Sequence, residues 1–140
     1  MAKDIAVLDT NVLFSGLYSS GGASYKILNF LENNKIKIAV SVALLFEYEE
    51  ILKRNKRILK LGNEEIEDIL NFICQVAVHQ KIFFLWRPYL KDQKDDHLLE
   101  LAVASRAIYI ITHNIRDFNS INKFGVSAIT PNEFIKILGR

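Results

Sequence analysis

Residues 3–16 read KDIAVLDTNVLFSG. The apolar run Ile5–Leu8 has the length of a short buried strand. It stops at Asp9, and polar Thr10 and Asn11 follow before Val12 restores the apolar pattern. A carboxylate at that place has two readings. It caps the next helix, as aspartate often does, or it is a ligand at the end of a strand, where open α/β sheets bind their ligands. The rest of the chain decides, by whether it supplies partners for Asp9.

Outward from this stretch the pattern alternates. A short helix is expected around Val12–Leu17, a loop at Ser19–Gly22, and a helix over Ser24–Asn33 with Ile27, Leu28 and Leu31 at helical spacing. Ile36–Val40 reads as a second strand. Ser41 is the expected N-cap of a helix from Val42 to about Arg54. Asn63 is the expected cap of the next, which turns Ile66, Ile69, Leu70, Ile73 and Ala77 to one face. A third strand is expected at Ile82–Leu85, a helix from His97 to about Ala107, and strands at Tyr109–Thr112 and Ala128–Ile129. Thr130-Pro131-Asn132-Glu133 is a capping box with proline at the first helical position, so Phe134–Leu138 is expected to be helical. Strands alternating with helices predict an α/β class with a central, mostly parallel sheet. The 140 residues suit a single domain, 1–140.

Half the residues are hydrophobic, enough for a core with some apolar surface left for a partner. The net charge of +2 is too small to decide for or against a nucleic-acid binder. The single cysteine, Cys74, cannot form an internal disulfide and reads as a small core residue of an intracellular protein. The first residues lack the order of a signal peptide. The richest apolar stretch, Ile38–Phe46, is far short of the roughly 20 residues of a membrane helix. A cytoplasmic protein without membrane partners is expected.

The informative acids are those without an ordinary explanation. In VALLFEYEEILKR, Glu49 has Lys53 four residues on, and Glu50 has Arg54. Glu47 has only Ala43 and Ile51 at those spacings. It is either a rim residue that reaches water or a group that meets something positive. In KDQKDDHLLELA one aspartate suffices as a cap, yet Asp95 and Asp96 are adjacent and Glu100 follows one turn later without a basic partner at helical spacing. Asn114 and Asp117 follow a strand end in THNIRDF, where turn chemistry alone explains either one. Oxygen donors from four segments can converge where strands end, and Mg²⁺ or Mn²⁺ favours such donors. His79, His97 and His113 lack the pair spacing of a zinc site. No glycine-rich phosphate loop, GxSxG elbow or Cys–His pair is found.

Together these segments resemble the PIN-domain family of metal-dependent nucleases. The likeness runs in family order through VLDTNV (7–12), SVALLFEYEEIL (41–52), WRPYLKDQKDDHLLELA (86–102), YIITHNIRDF (109–118) and ITPNEFIKIL (129–138). It is nearest to the small single-domain, VapC-like toxins of toxin–antitoxin systems. The resemblance implies a Rossmann-like sheet with an acidic site at its carboxyl edge. It implies Asp9, Glu47 and Asp96 as catalytic and metal-holding acids, with Asp95 the alternative to Asp96. The family's fourth acid falls two residues after the threonine; Asn114 stands there, and either Asp117, the nearest acid, takes its place as a catalytic and metal-holding residue or the second metal site is weak. Asn11 and Thr112 match supporting polar positions, and Glu100 is a further supporting acid. The implied reaction is Mg²⁺- or Mn²⁺-dependent hydrolysis of RNA phosphodiesters, leaving 5′-phosphate and 3′-hydroxyl ends. The implied partners are RNA, a small antitoxin protein and a second copy of the chain.

An acidic site needs basic residues to guide a phosphate strand. Lys53, Arg54, Lys56, Arg57 and Lys60 in KRNKRILK are candidates, as are Arg87, Lys91, Lys94 and Arg116. A solvated helix end explains KRNKRILK equally well. Trp86, Tyr89 and Phe118 are candidates for base stacking or for packing. The alternative function is a non-catalytic or weakly catalytic PIN-like module that binds RNA or protein. A phosphohydrolase using Asp9 covalently is disfavoured, because its pattern needs an acid at position 11, where Asn11 stands.

Overall fold

The structure is a computed structural model that describes residues 4–82, 95–118 and 121–139. The elements run β1 (Ile5–Leu8), α1 (Thr10–Tyr18), α2 (Ala23–Glu32), β2 (Lys37–Val40), α3 (Val42–Arg54), α4 (Lys56–Leu59), α5 (Asn63–Val76), β3 (Val78–His79), α6 (Asp96–Ser105), β4 (Tyr109–Ile111), β5 (Ser127–Ile129) and α7 (Pro131–Leu138). Two 3₁₀ turns, Ile115–Phe118 and Ile121–Phe124, lie between β4 and β5. The strand order is β3-β2-β1-β4-β5, and every pairing among the described residues is parallel. This is a Rossmann-like α/β fold, as the alternating pattern implies.

The sheet is short because its strands are short, and its centre is apolar because helices cover it. Ala6, Val7 and Leu8 of β1 and Ile38, Ala39 and Val40 of β2 are all essentially inaccessible, as strands of a two-sided parallel sheet must be. β1 lies at the middle, where the strand order reverses between β1 and β4. Helices α3 and α7 start as their sequences dictate. Ser41 Oγ accepts the Leu44 N–H at 3.1 Å. Thr130 Oγ1 accepts the Glu133 N–H at 3.2 Å, while Glu133 Oε1 accepts the Thr130 N–H at 3.0 Å.

Two expectations need correction. The N-cap of α5 is Gly62, one residue before Asn63; its N–H donates to Glu65 Oε1 at 2.9 Å, and that bond sets the helix start. Among the described residues the third strand is Val78–His79, paired to Ala39 and Val40. Ile82 lies outside any strand, and residues 83–85 lie outside the described residues. A two-residue strand directly after a helix carries no periodicity that sequence reading can detect. Helix α1 also begins at Thr10, earlier than expected, which places Asp9 at its N-cap position.

Helices α1 and α2 pack closely at Gly16. A Cβ there would meet Leu28 Cδ1 at 2.6 Å and the Ser24 carbonyl oxygen at 3.0 Å. The leucine tip can turn aside, but the backbone oxygen cannot. Gly16→Val is therefore expected to destabilise the fold by about 1–3 kcal/mol, the cost of an overpacked contact. Urea unfolding followed by circular dichroism measures this; an unchanged midpoint would show that the two helices separate freely.

Candidate active site

Asp9 occupies the N-cap position of α1 but makes no side-chain capping bond. Its Oδ2 accepts the Thr112 hydroxyl at 2.7 Å instead. That bond crosses the point where the strand order reverses. It is set up by the sheet itself, since the Asp9 N–H donates to the Ile111 carbonyl at 3.0 Å, one rung past the strand ends. Thr112 Oγ1 also accepts the Asn114 N–H at 3.0 Å, so the hydroxyl is oriented before it reaches Asp9. Asn11 Oδ1 accepts the His113 N–H at 3.4 Å. Asn11, Thr112 and the backbone of Asn114 thus tie the first turn of α1 to the segment after β4.

Glu47 is held from two sides. The Thr10 hydroxyl donates to Oε2 at 2.5 Å, and His97 Nε2 lies 3.5 Å from Oε1. The partner that its own helix lacks at helical spacing comes from α6. Glu49 and Glu50 pair with Lys53 and Arg54, as their spacing predicts. The next residue, Tyr48, is completely buried, and its hydroxyl donates to the Leu8 carbonyl at 2.5 Å. This bond fixes α3 to the last residue of β1, directly before Asp9. Burial, with smaller effects of the Asp9 and Glu47 charges, pushes the Tyr48 hydroxyl well above its ordinary pKa. It stays protonated and remains a donor. Tyr48→Phe is expected to cost about 1–3 kcal/mol by leaving a buried carbonyl without its partner, measurable as a lower thermal midpoint. A midpoint equal to wild type would mean that Leu8 O finds another donor.

The two carboxylates are perturbed in opposite directions. Burial raises the pKa of Asp9, and the charge of Glu47 adds to the rise; the Thr112 bond and the nearby N–H groups of Thr10 and Asn11 oppose it. Burial alone would also raise Glu47, but the His97 and Thr10 hydrogen bonds and the His97 charge outweigh it and bring the pKa below its ordinary value. The structure therefore brings Asp9 and Glu47 into one electrostatic neighbourhood, with Thr10, Thr112, Tyr48 and His97 around them.

The other expected residues are distributed as follows. Asp96 is the first residue of α6 and only 1% exposed; Glu100, one turn later, is 4% exposed. Their helix packs on β1, β2, β4 and α3. Asp95 stands at the N-cap position and makes no side-chain capping bond. Asp117 lies in the 3₁₀ turn after Asn114, its N–H donating to the Asn114 carbonyl at 3.0 Å, and the exposed Arg116 precedes it. Among the described residues, no three His, Cys, Asp or Glu side chains form a group able to hold a metal ion. Asp9 and Glu47 still suit a hard cation such as Mg²⁺, which is held by one or two carboxylates and keeps several waters. Lys53 and Arg54 stand roughly 10 Å beyond Glu47 along the axis of α3, and Lys56 and Arg57 follow on α4, exposed. Phe118 is 3% exposed and packs in the core. Trp86, Arg87, Tyr89, Lys91 and Lys94 lie outside the described residues.

Thr10 and Tyr48 were not anticipated from the sequence. Tyr48 had one signal, a polar tip on the apolar strip of α3, since a buried tyrosine hydroxyl needs a partner. Thr10 had none beyond its place next to Asp9.

Comparison with known proteins gives three findings. A family model described as PIN domain matches residues 5–116. An uncharacterized protein of Methanocaldococcus jannaschii is 31% identical over 143 residues, spanning 93% of this chain and 88% of that protein. A crystal structure of VapBC2 from Rickettsia felis, bound to a DNA fragment from their promoter, aligns with a TM-score of 0.63 over 90% of this chain and 98% of that chain. Its sequence identity is 20%, so that likeness speaks for the fold alone.

Proposed function

Because this chain belongs to the PIN-domain family, we propose that it is a Mg²⁺- or Mn²⁺-dependent endoribonuclease, acting as the VapC-like toxin of a type II toxin–antitoxin pair. The observation that carries the reading is Asp9 itself. It is a buried carboxylate at the carboxyl end of the central strand, its pKa raised by burial and by the charge of nearby Glu47. Two like charges in a buried site are unfavourable, and a bound cation would relieve the conflict. Asp9 and Glu47, with Asp96 at the start of α6, would hold a metal ion that acidifies water and offsets charge developing on phosphate. Thr112 and Thr10 keep the two carboxylates oriented, and Tyr48 keeps α3 at a set distance from β1. Arg116, near Asp117, and the cations of α3 and α4 would contact phosphates without reading bases. The fold shared with VapBC2 supports a small protein antitoxin as partner, and a second copy of the chain is the other expected contact.

Incubating the purified protein with single-stranded RNA and Mn²⁺ or Mg²⁺ tests the reading, beside Asp9→Asn and Asp96→Asn. Cutting by wild type alone is expected. Cutting that persists in both variants would sink the assignment. Growth arrest on expression, relieved by a small neighbouring protein, checks the toxin label separately.

A second reading has its own support. Asn114 stands in place of an acid, and the described residues hold no three-ligand group. Both favour a PIN-like module that binds RNA or protein without cutting. RNA binding without cleavage under every metal condition is the outcome that would select it.

A further inference from the structure

An endoribonuclease can tell RNA from DNA at a given nucleotide by the 2′-hydroxyl. A cavity of about 340 Å³ lies at the same sheet edge as Asp9, among Ser15, Ser19, Ser24, His113, Thr130 and Asn132. Among the described residues, no Lys, Arg, Asp or Glu lines it. It therefore lacks the fixed charge that would favour a phosphate or a metal. Its polar side chains are hydroxyls, an amide and an imidazole, which can donate and accept hydrogen bonds as a sugar hydroxyl does.

The cavity is joined to the candidate active site. Ser24 is 5% exposed, and its Oγ lies 3.3 Å from His113 Nε2. His113 directly follows Thr112, the residue that holds Asp9, and its backbone N–H donates to Asn11. The side chains of Ser15, Ser19 and Asn132 make no hydrogen bond to another described residue and are left for a ligand. We propose that this cavity is a ribose subsite, holding the sugar of a nucleotide next to the scissile phosphate and reading its 2′-hydroxyl through Ser24 and His113. The proposal rests on the ribonuclease reading above and adds the means of choosing RNA over DNA.

The test separates binding from cutting. Short single strands of one sequence, as RNA and as DNA, are titrated into the Asp9→Asn protein with Mg²⁺ and followed by fluorescence anisotropy. RNA is expected to bind about fivefold more tightly, what one or two hydrogen bonds contribute. Adding Ser24→Ala, or separately His113→Ala at the exposed residue, is expected to remove that preference while DNA affinity stays unchanged. Circular dichroism checks that each variant folds. Equal binding of RNA and DNA by the parent overturns the proposal, as does an RNA preference that survives both variants. If wild type cuts no RNA yet the preference depends on Ser24 and His113, the subsite stands and the catalytic reading falls. If wild type cuts RNA and the preference survives both variants, the subsite falls and the catalytic reading stands.

Discussion

Asp9→Asn is expected to abolish RNA cleavage and, at the same time, to raise the melting temperature of the metal-free protein. The loss of cutting should be about 100-fold or more, since even outer partners of a metal ligand cost up to that much. The gain in stability follows from the sign of the pKa shift. Burial first, and the Glu47 charge second, raise the Asp9 carboxyl above its ordinary value. A raised pKa means that the folded state holds the proton more tightly than the unfolded state. The resulting stabilisation is fully present below about pH 3.9, the unfolded value, and is lost as pH rises through the folded value. At neutral pH the ionised group is therefore a burden on the metal-free fold. Asparagine keeps an oxygen for the Thr112 hydroxyl and removes the charge. The stability difference should shrink as pH falls towards 4. Mn²⁺ should raise the melting temperature of wild type by mass action and raise that of the variant far less. A variant that melts below wild type at pH 7 without metal would refute this account of Asp9.

Glu47→Gln is expected to lose cutting in the same way but to lower stability. Burial favours protonated Glu47, yet the hydrogen bond and charge of His97 and the Thr10 hydroxyl reverse the balance. A lowered pKa contributes stability above the unfolded value of about 4.3, and the contribution disappears as pH falls through the folded value. Glutamine offers an acceptor to Thr10 but no charge to His97. The variant should melt below wild type at pH 7, and the two curves should converge below about pH 4. Because one carboxylate is a burden and the other a support, the two variants should move apart in stability while both fail in catalysis. Melting curves that shift in the same direction would mean that the two acids do not have opposite environments.

The architecture was legible because its evidence is local. Apolar strands such as Ile5–Leu8, the Ser41 cap and the Thr130–Glu133 box each carry their signal within a few residues. β3 went unseen because two residues cannot show a period, while the apolar run after it looked more strand-like. For the site, elimination along one helix singled out Glu47, whose neighbours Glu49 and Glu50 have their cations in place. Its actual partners, Thr10 and His97, come from α1 and α6 and leave no mark on the sequence around it. The same holds for Tyr48, which looks like one more apolar residue until the Leu8 carbonyl is seen in front of its hydroxyl. Asp9 could be read as a cap because it does stand at the cap position; only the bond to Thr112 shows that its carboxylate is engaged elsewhere.

The hydrogen bond between Thr112 and Asp9 joins residues 103 positions apart, and the strand that Thr112 directly follows, β4, is paired with both β1 and β5. A chain still being synthesised has Asp9, Thr10, Glu47 and Tyr48 in hand long before it has Thr112. Until that residue leaves the ribosome, the central strand lacks a neighbour on one side and its terminal carboxylate lacks its orienting hydroxyl. On the proposed ribonuclease reading the substrate includes the class of molecule that directs the chain's own synthesis, and the order of the strands works as a delay: Asp9 gains its orienting hydroxyl only after residue 112 has emerged.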